Sequence, residues 1–132
     1  MLALLRLTQA VARGMVTRRT GHIINVSSLL ARKVTPLTTV YAASKHAVAA
    51  ISEGLRIELR PYSVRVTEIA PGIVNTEVFR AIDDPAARER YARFPFEPLT
   101  ATQVAEAIVF AARADADACA ELIELKSVGQ AS

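Results

Sequence analysis

Tyr41 and Lys45, separated by Ala42-Ala43-Ser44, and Ser28 upstream of them are the residues whose types and spacing can do chemistry. On a helix, residues four apart lie on one face with Cβ atoms roughly 5 to 6 Å apart, so a phenol and an ammonium at that spacing meet the same bound molecule. A phenol titrates near 10, and acid/base work at neutral pH asks for a shift of about three units, or roughly 4 kcal/mol in favour of the phenolate. A neighbouring ammonium has the right sign of charge to supply it. Ser28 adds a hydroxyl that can hydrogen-bond a substrate oxygen while the tyrosine gives or takes the proton. One residue polarises, one transfers and one tunes, a division of labour suited to interconverting alcohols and ketones.

A helix must present the pair, and the end of a strand must present the serine. Apolar spacing predicts a helix from about Thr39 to Arg60, with Ala47, Val48, Ile51, Leu55 and Leu59 on its inner side and Pro61 closing it. His22 to Ser27 is β-branched and nearly continuous in apolar character, which reads as a buried parallel strand with Ser28 at its carboxyl end. Ahead of it, residues 2 to 18 read as a helix with Leu4, Leu7, Val11 and Met15 on a core-facing stripe. Val64 to Ala70 reads as a second strand broken by Pro71-Gly72. Thr100 or Thr102 can cap a helix running through about Arg113, with Val104, Ile108 and Phe110 to Ala112 inward, and Glu121 to Lys126 reads as a third strand. The alternation is an α/β pattern with a parallel sheet of about three strands, and the carboxyl ends of such strands are where open sheets bind ligands. No internal repeat or low-complexity tract divides the chain, so residues 1–132 read as one domain.

Y-x-x-x-K alone is a weak signal, and its surroundings strengthen it. Gly21-His22-Ile23-Ile24-Asn25-Val26-Ser27-Ser28, then Tyr41 to Lys45, then Val64-Arg65-Val66-Thr67-Glu68-Ile69-Ala70-Pro71-Gly72-Ile73-Val74-Asn75-Thr76 resemble, in order and spacing, successive signatures of the short-chain dehydrogenase/reductase family. The resemblance implies a doubly wound Rossmann-type sheet, of which this chain carries the last three strands, and an NAD(P)-dependent oxidoreductase that interconverts a hydroxyl and a carbonyl by hydride transfer. It implies Ser28 as the substrate-orienting serine, Tyr41 as the acid/base, and Lys45 as the residue that lowers the tyrosine pKa and binds the nicotinamide ribose. Pro71, Gly72, Ile73 and Thr76 fall where the family holds the nicotinamide carboxamide. The implied cofactor is NAD(P), with NADP slightly favoured, and the implied partners are a small alcohol or carbonyl substrate and a second copy of the chain docked through the long helices. Residues 77–98, with Phe94-Pro95-Phe96, fall at the substrate lid.

Two departures accompany the resemblance. The family opens with a T-G-x-x-x-G-x-G turn that meets the pyrophosphate, followed by an N-N-A-G segment, whereas Gly14, Gly21, Gly54, Gly72 and Gly129 are too scattered for a phosphate-cradling loop. The sequence therefore reads as the C-terminal part of such an enzyme, with the family's catalytic Asn falling just ahead of Met1. A catalytically silent half-domain, kept as a packing or dimerisation module, is the alternative. The second departure is Ala31, which stands where the family has a glycine and predicts a slightly altered loop on the substrate side.

Composition excludes several other classes. An apolar fraction of 52% argues against disorder, and it predicts self-association if surfaces made for further elements face water. No uncharged apolar run reaches membrane-spanning length. The single Cys119 cannot form an internal disulfide and fits a reducing, cytoplasmic setting, where it reads as a small buried or partly buried filler. Acids are absent before Glu53 while seven Lys or Arg fall there. That stretch lacks aromatic interleaving and nucleic-acid motifs, so it reads as a solvated or cofactor-facing surface rather than a nucleic-acid interface. Its first part, acid-poor like a mitochondrial presequence, reads instead as the opening helix. His22 and His46 have no second ligand at metal spacing, so no metal site is expected. Asn25 reads as a structural residue bonding backbone near the sheet end, and Ser27 as a loop-shaping neighbour of Ser28.

Overall fold

The computed structural model describes residues 2–77, 83–92 and 94–131. Helix α1 (Leu2–Arg18) leads into strand β1 (Gly21–Val26), a short 3-10 turn at Leu29–Ala31, and helix α2 (Thr39–Leu59). A second 3-10 turn, Arg60–Tyr62, feeds strand β2 (Val64–Pro71). Helices α3 (Pro85–Ala92) and α4 (Ala101–Arg113) then precede strand β3 (Leu122–Leu125). The strands form one parallel sheet in the order β1-β2-β3, with Gly21 opposite Val64, Val26 opposite Ile69, and Glu68 to Pro71 opposite Leu122 to Leu125. Parallel neighbours need crossover connections, which α2 and the α3/α4 segment supply.

Side-chain alternation assigns the two faces of the sheet. Ile23, Val64 and Val66 join Leu59 in a buried cluster against which Ala12, Met15, Val16 and Leu55 pack, so α1 and α2 cover one face. Arg65 points the other way and donates to the carbonyls of Ala114, Asp115 and Ala118 just beyond α4, at 2.9, 3.1 and 3.1 Å. Helix α4 therefore lies over the second face, where Ala111 is fully buried.

Several inward-facing expectations are corrected. Leu7 is 65% exposed and Val11 40%, because the inward side of α1 is the face of Thr8, which is buried, and of Ala12, Met15 and Val16, which pack on the core cluster, and this face is rotated away from Leu7 and Val11. Phe110 is also exposed, and Ala112 with it; the small Ala111 is the contact that lets α4 sit close to the sheet. Cys119 is exposed rather than a filler. Asn25 bonds a side chain rather than backbone, donating through Nδ2 to the Ser52 hydroxyl at 3.0 Å. Residues 78–82 and 93 of the expected lid lie outside the described residues; within the rest of it, α3 is a short helix and the Phe94 and Phe96 rings sit 5.6 Å apart.

Candidate active site

Two features hold α2 at the carboxyl end of β1. A buried chain runs from Asn25 on the strand to Ser52 on the helix, whose hydroxyl donates onward to the Val48 carbonyl at 2.8 Å. Ahead of the helix, the Thr38 hydroxyl donates to the Thr35 carbonyl at 2.7 Å and accepts the Thr35 N–H at 3.1 Å, and the Thr38 carbonyl accepts the Ala42 N–H at 2.7 Å. This closed turn delivers the first turns of α2, with Tyr41 and Lys45, beside the end of β1.

Lys45 Nζ donates to the Val26 carbonyl at 3.2 Å and lies 5.7 Å from the centroid of the Tyr41 ring. Tyr41 and Lys45 thus share one side of the helix, as their spacing predicts. Burial lowers the Lys45 pKa from its ordinary value by disfavouring the ammonium. The Tyr41 side chain is half exposed, and its hydroxyl has no hydrogen-bond partner among the described residues.

Ser28 is buried and begins the 3-10 turn that packs against α2. Its oxygen accepts the Leu30 N–H at 3.1 Å, which leaves its own proton available for donation. No hydrogen bond among the described residues joins Ser28 directly to Tyr41 or Lys45; Lys45 instead reaches the end of β1 through the Val26 carbonyl, two residues before Ser28. Ala31 is buried with a negative φ, so the turn accepts its Cβ without the backbone freedom of a glycine.

A cluster that sequence reasoning missed fixes this turn. Ser27 donates its hydroxyl to Glu68, a buried carboxylate in the middle of β2, and its N–H to the Ile69 carbonyl at 2.8 Å. Arg32, just past the 3-10 turn, grips both oxygens of the same carboxylate at 3.1 and 2.8 Å. Ser28 is therefore bracketed by two anchors on one group. Burial alone pushes the Glu68 pKa up, but the hydrogen bonds from Arg32 and Ser27, with the charges of Arg32 and Arg56, outweigh it and hold the carboxyl below its ordinary value. A Glu at the centre of a mostly apolar strand was the available signal.

At the carboxyl end of β2, Pro71 is buried and the Gly72 N–H reaches the Leu125 carbonyl at 2.7 Å. Ile73 uses both of its backbone groups. Its N–H donates to Gln130 Oε1 at 3.0 Å, and its C=O accepts the Leu99 N–H at 2.9 Å. Asn75 donates its N–H to Leu99, again at 2.8 Å. Val74, absent from the expected site, is left with a backbone N–H and C=O that no hydrogen bond among the described residues uses. Thr76 is exposed beside it. Because Val26 pairs with Ile69 in parallel register, the chain leaves β1 and β2 at the same end of the sheet, so Ser28 and the turn after Pro71 both lie at that carboxyl end. Among the described residues no group of His, Cys, Asp and Glu side chains is arranged to hold a metal ion, and no helix is long and apolar enough to cross a membrane.

The structure thus has a parallel sheet with a serine just past the end of one strand and a Tyr/Lys pair on the following helix. The short chain dehydrogenase family model matches residues 1–87, and the chain belongs to that family. An uncharacterised oxidoreductase of Staphylococcus aureus is 36% identical over 103 residues, covering 78% of this chain and 41% of its own. The closed form of serine dehydrogenase complexed with NADP+ superposes with a TM-score of 0.85 at 34% identity, over 98% of this chain and 53% of that one. A short-chain dehydrogenase from Sphingobium yanoikuyae in complex with NADPH gives a TM-score of 0.70 at 30% identity, over 83% of this chain and 41% of that one. The chain thus spans about half, or less, of the length of these relatives.

Proposed function

We propose that the chain serves an NAD(P)-dependent oxidoreductase that interconverts a hydroxyl and a carbonyl on a small molecule. The observation that carries this reading is the placement of Tyr41 and Lys45 on one side of α2, beside a buried Ser28 whose proton is uncommitted. The residues present also fit a nicotinamide, because the N–H and C=O of Val74, which no hydrogen bond among the described residues uses, are one donor and one acceptor on one residue, the complement of a carboxamide.

When bound, the nicotinamide supplies or accepts the hydride. Ser28 donates its hydroxyl proton in a hydrogen bond to the substrate oxygen, polarising the carbonyl. Tyr41 gives its phenolic proton to that oxygen in reduction and takes it back in oxidation. Lys45 places an ammonium beside the phenol, which favours phenolate, and its position on the same side of α2 suits contact with the nicotinamide ribose. Val74 and Thr76 bind the carboxamide, with Pro71, Gly72 and Ile73 shaping the turn that presents them. Residues 77–98 are assigned to the substrate lid, with Phe94 and Phe96 as an apolar ligand wall or as docking residues that pin the segment down.

The first test is fluorescence titration of the chain with NADPH and then NADH, the phosphorylated form leading because both solved relatives above carry it. Saturable binding with carbonyl reduction is expected, and Tyr41→Phe should keep the binding while losing about 10²-fold or more of the reduction rate. Wild-type chain that binds neither dinucleotide refutes the enzymatic reading for this chain. We place its site of action in the reducing cytoplasm, consistent with one exposed, unpaired cysteine.

A further inference from the structure

We infer that Gln130 is a positioning residue for the nicotinamide end of the cofactor, acting as a clamp from the C-terminal segment on the turn after β2. The inference rests on the oxidoreductase reading above and assigns a role to a residue outside every motif in the sequence.

The clamp has two sides. Gln130 Oε1 accepts the Ile73 N–H at 3.0 Å, and it lies so close to Gly72 that a Cβ there would run into the same oxygen. Gly72 has no positive φ, and a Cβ there would meet the far end of the Gln130 side chain, so a larger residue would push the amide away from the turn. Gln130 is itself held by a turn, its N–H donating to the Ser127 carbonyl at 2.9 Å. Within that turn Gly129 lies against Phe96, where a Cβ would meet the Phe96 Cβ at 2.6 Å. Residues 127–130 are therefore seated between the turn after Pro71 and the Phe94-Pro95-Phe96 segment.

The chemical consequence follows from which groups remain free. Without Gln130 the Ile73 N–H loses its acceptor, and the turn gains an uncommitted donor next to the polar groups of Val74. With Gln130 in place, Ile73 is paired through its N–H and its C=O, while Val74 beside it keeps a donor and an acceptor that no hydrogen bond among the described residues uses. Gln130 thereby selects a carboxamide, which both donates and accepts, over a carboxylate, which only accepts.

The test uses the full chain with Gln130→Ala and with Gln130→Glu, which keeps an acceptor oxygen. Gly72→Ala serves as a third variant that displaces the clamp from its other side. Amide hydrogen exchange by NMR, with no ligand present, is expected to show Ile73 protected in wild type and Gln130→Glu but exposed in Gln130→Ala and Gly72→Ala. The Ile69 amide in the same spectra reports that the sheet is intact. Titration with nicotinamide mononucleotide and with nicotinic acid mononucleotide is expected to show wild type preferring the carboxamide by about tenfold, the discrimination of one or two hydrogen bonds, and Gln130→Ala losing most of that preference. Unchanged Ile73 exchange in Gln130→Ala, or an unchanged preference, overturns the inference. Wild type that binds neither mononucleotide overturns the functional reading and the cofactor role together, and the exchange data then separate that result from the absence of a clamp.

Discussion

Glu68 is the residue whose removal should reach furthest. A carboxylate in the middle of a parallel strand is costly to bury, and this one is compensated by two bonds from Arg32 and one from Ser27. Glu68→Ala is expected to lower stability by about 1 to 3 kcal/mol in urea denaturation, since it leaves the Ser27 hydroxyl only a long contact to the Ile69 carbonyl and Arg32 only its pair with Glu124. The pH dependence has a definite sign. Because the folded carboxyl titrates below its ordinary value, the unfolded chain takes up the proton first on acidification. Its contribution is whole above the ordinary glutamate range and is lost as pH falls through the folded pKa. His22 acts in the same direction at higher pH: burial first, then the charge of Arg65, lower its pKa, and its buried Nδ1 has no partner to welcome a proton. Stability should begin to fall as pH drops below about 6.5, and His22→Gln should flatten that part of a pH series of melting temperatures while leaving the Glu68 part in place. For catalysis, Ser28→Ala should reduce carbonyl reduction by about 10²- to 10³-fold with dinucleotide affinity unchanged, a split that steady-state kinetics and fluorescence titration read separately.

At the scale of elements, α4 offers the cleanest local test. Thr100 caps it by accepting the Gln103 N–H at 3.2 Å, while Gln103 Oε1 accepts the Thr100 N–H at 2.8 Å, a reciprocal capping box. Thr100→Ala should cost about 1 kcal/mol by thermal or urea unfolding, and Thr102→Ala much less. The sequence offered both threonines as caps, and only the three-residue spacing to Gln103 distinguishes them. The same contrast runs through the rest of the molecule. Helices α1, α2 and α4 and all three strands were legible within a residue or two, because apolar periodicity and breakers are local signals. Which side of a helix faces inward was less legible. Leu7, Val11 and Phe110 are apolar at helical spacing yet exposed, since burial depends on which face a neighbouring layer covers. In the candidate site, Ser28, Tyr41 and Lys45 stood out through motif spacing. Glu68, Val74 and Gln130 did not, because their roles come from partners far along the chain or from backbone groups that carry no side-chain signature.

The whole molecule presents much unsatisfied surface. Strand β1 pairs with β2 on one side and with no described strand on the other, and Leu2, Leu5, Leu7 and Val11 of α1 are exposed together with Val40 and Ile57 of α2. Open edges and apolar helix faces favour association, and a second copy docked through the long helices is the proposed partner. Sedimentation velocity over a concentration series should show reversible self-association, weakened when Leu7→Glu and Val11→Glu are combined; a monomer at all concentrations would contradict it. The parallel sheet also governs how quickly such a chain can form. Gly21 must find Val64, and Glu68 must find Leu122, before either ladder closes, with an entire helical crossover in between. Topologies dominated by such distant pairings fold slowly for their size, so the helices of this chain should gain structure well before its sheet, leaving β1 open during the interval in which aggregation competes with folding.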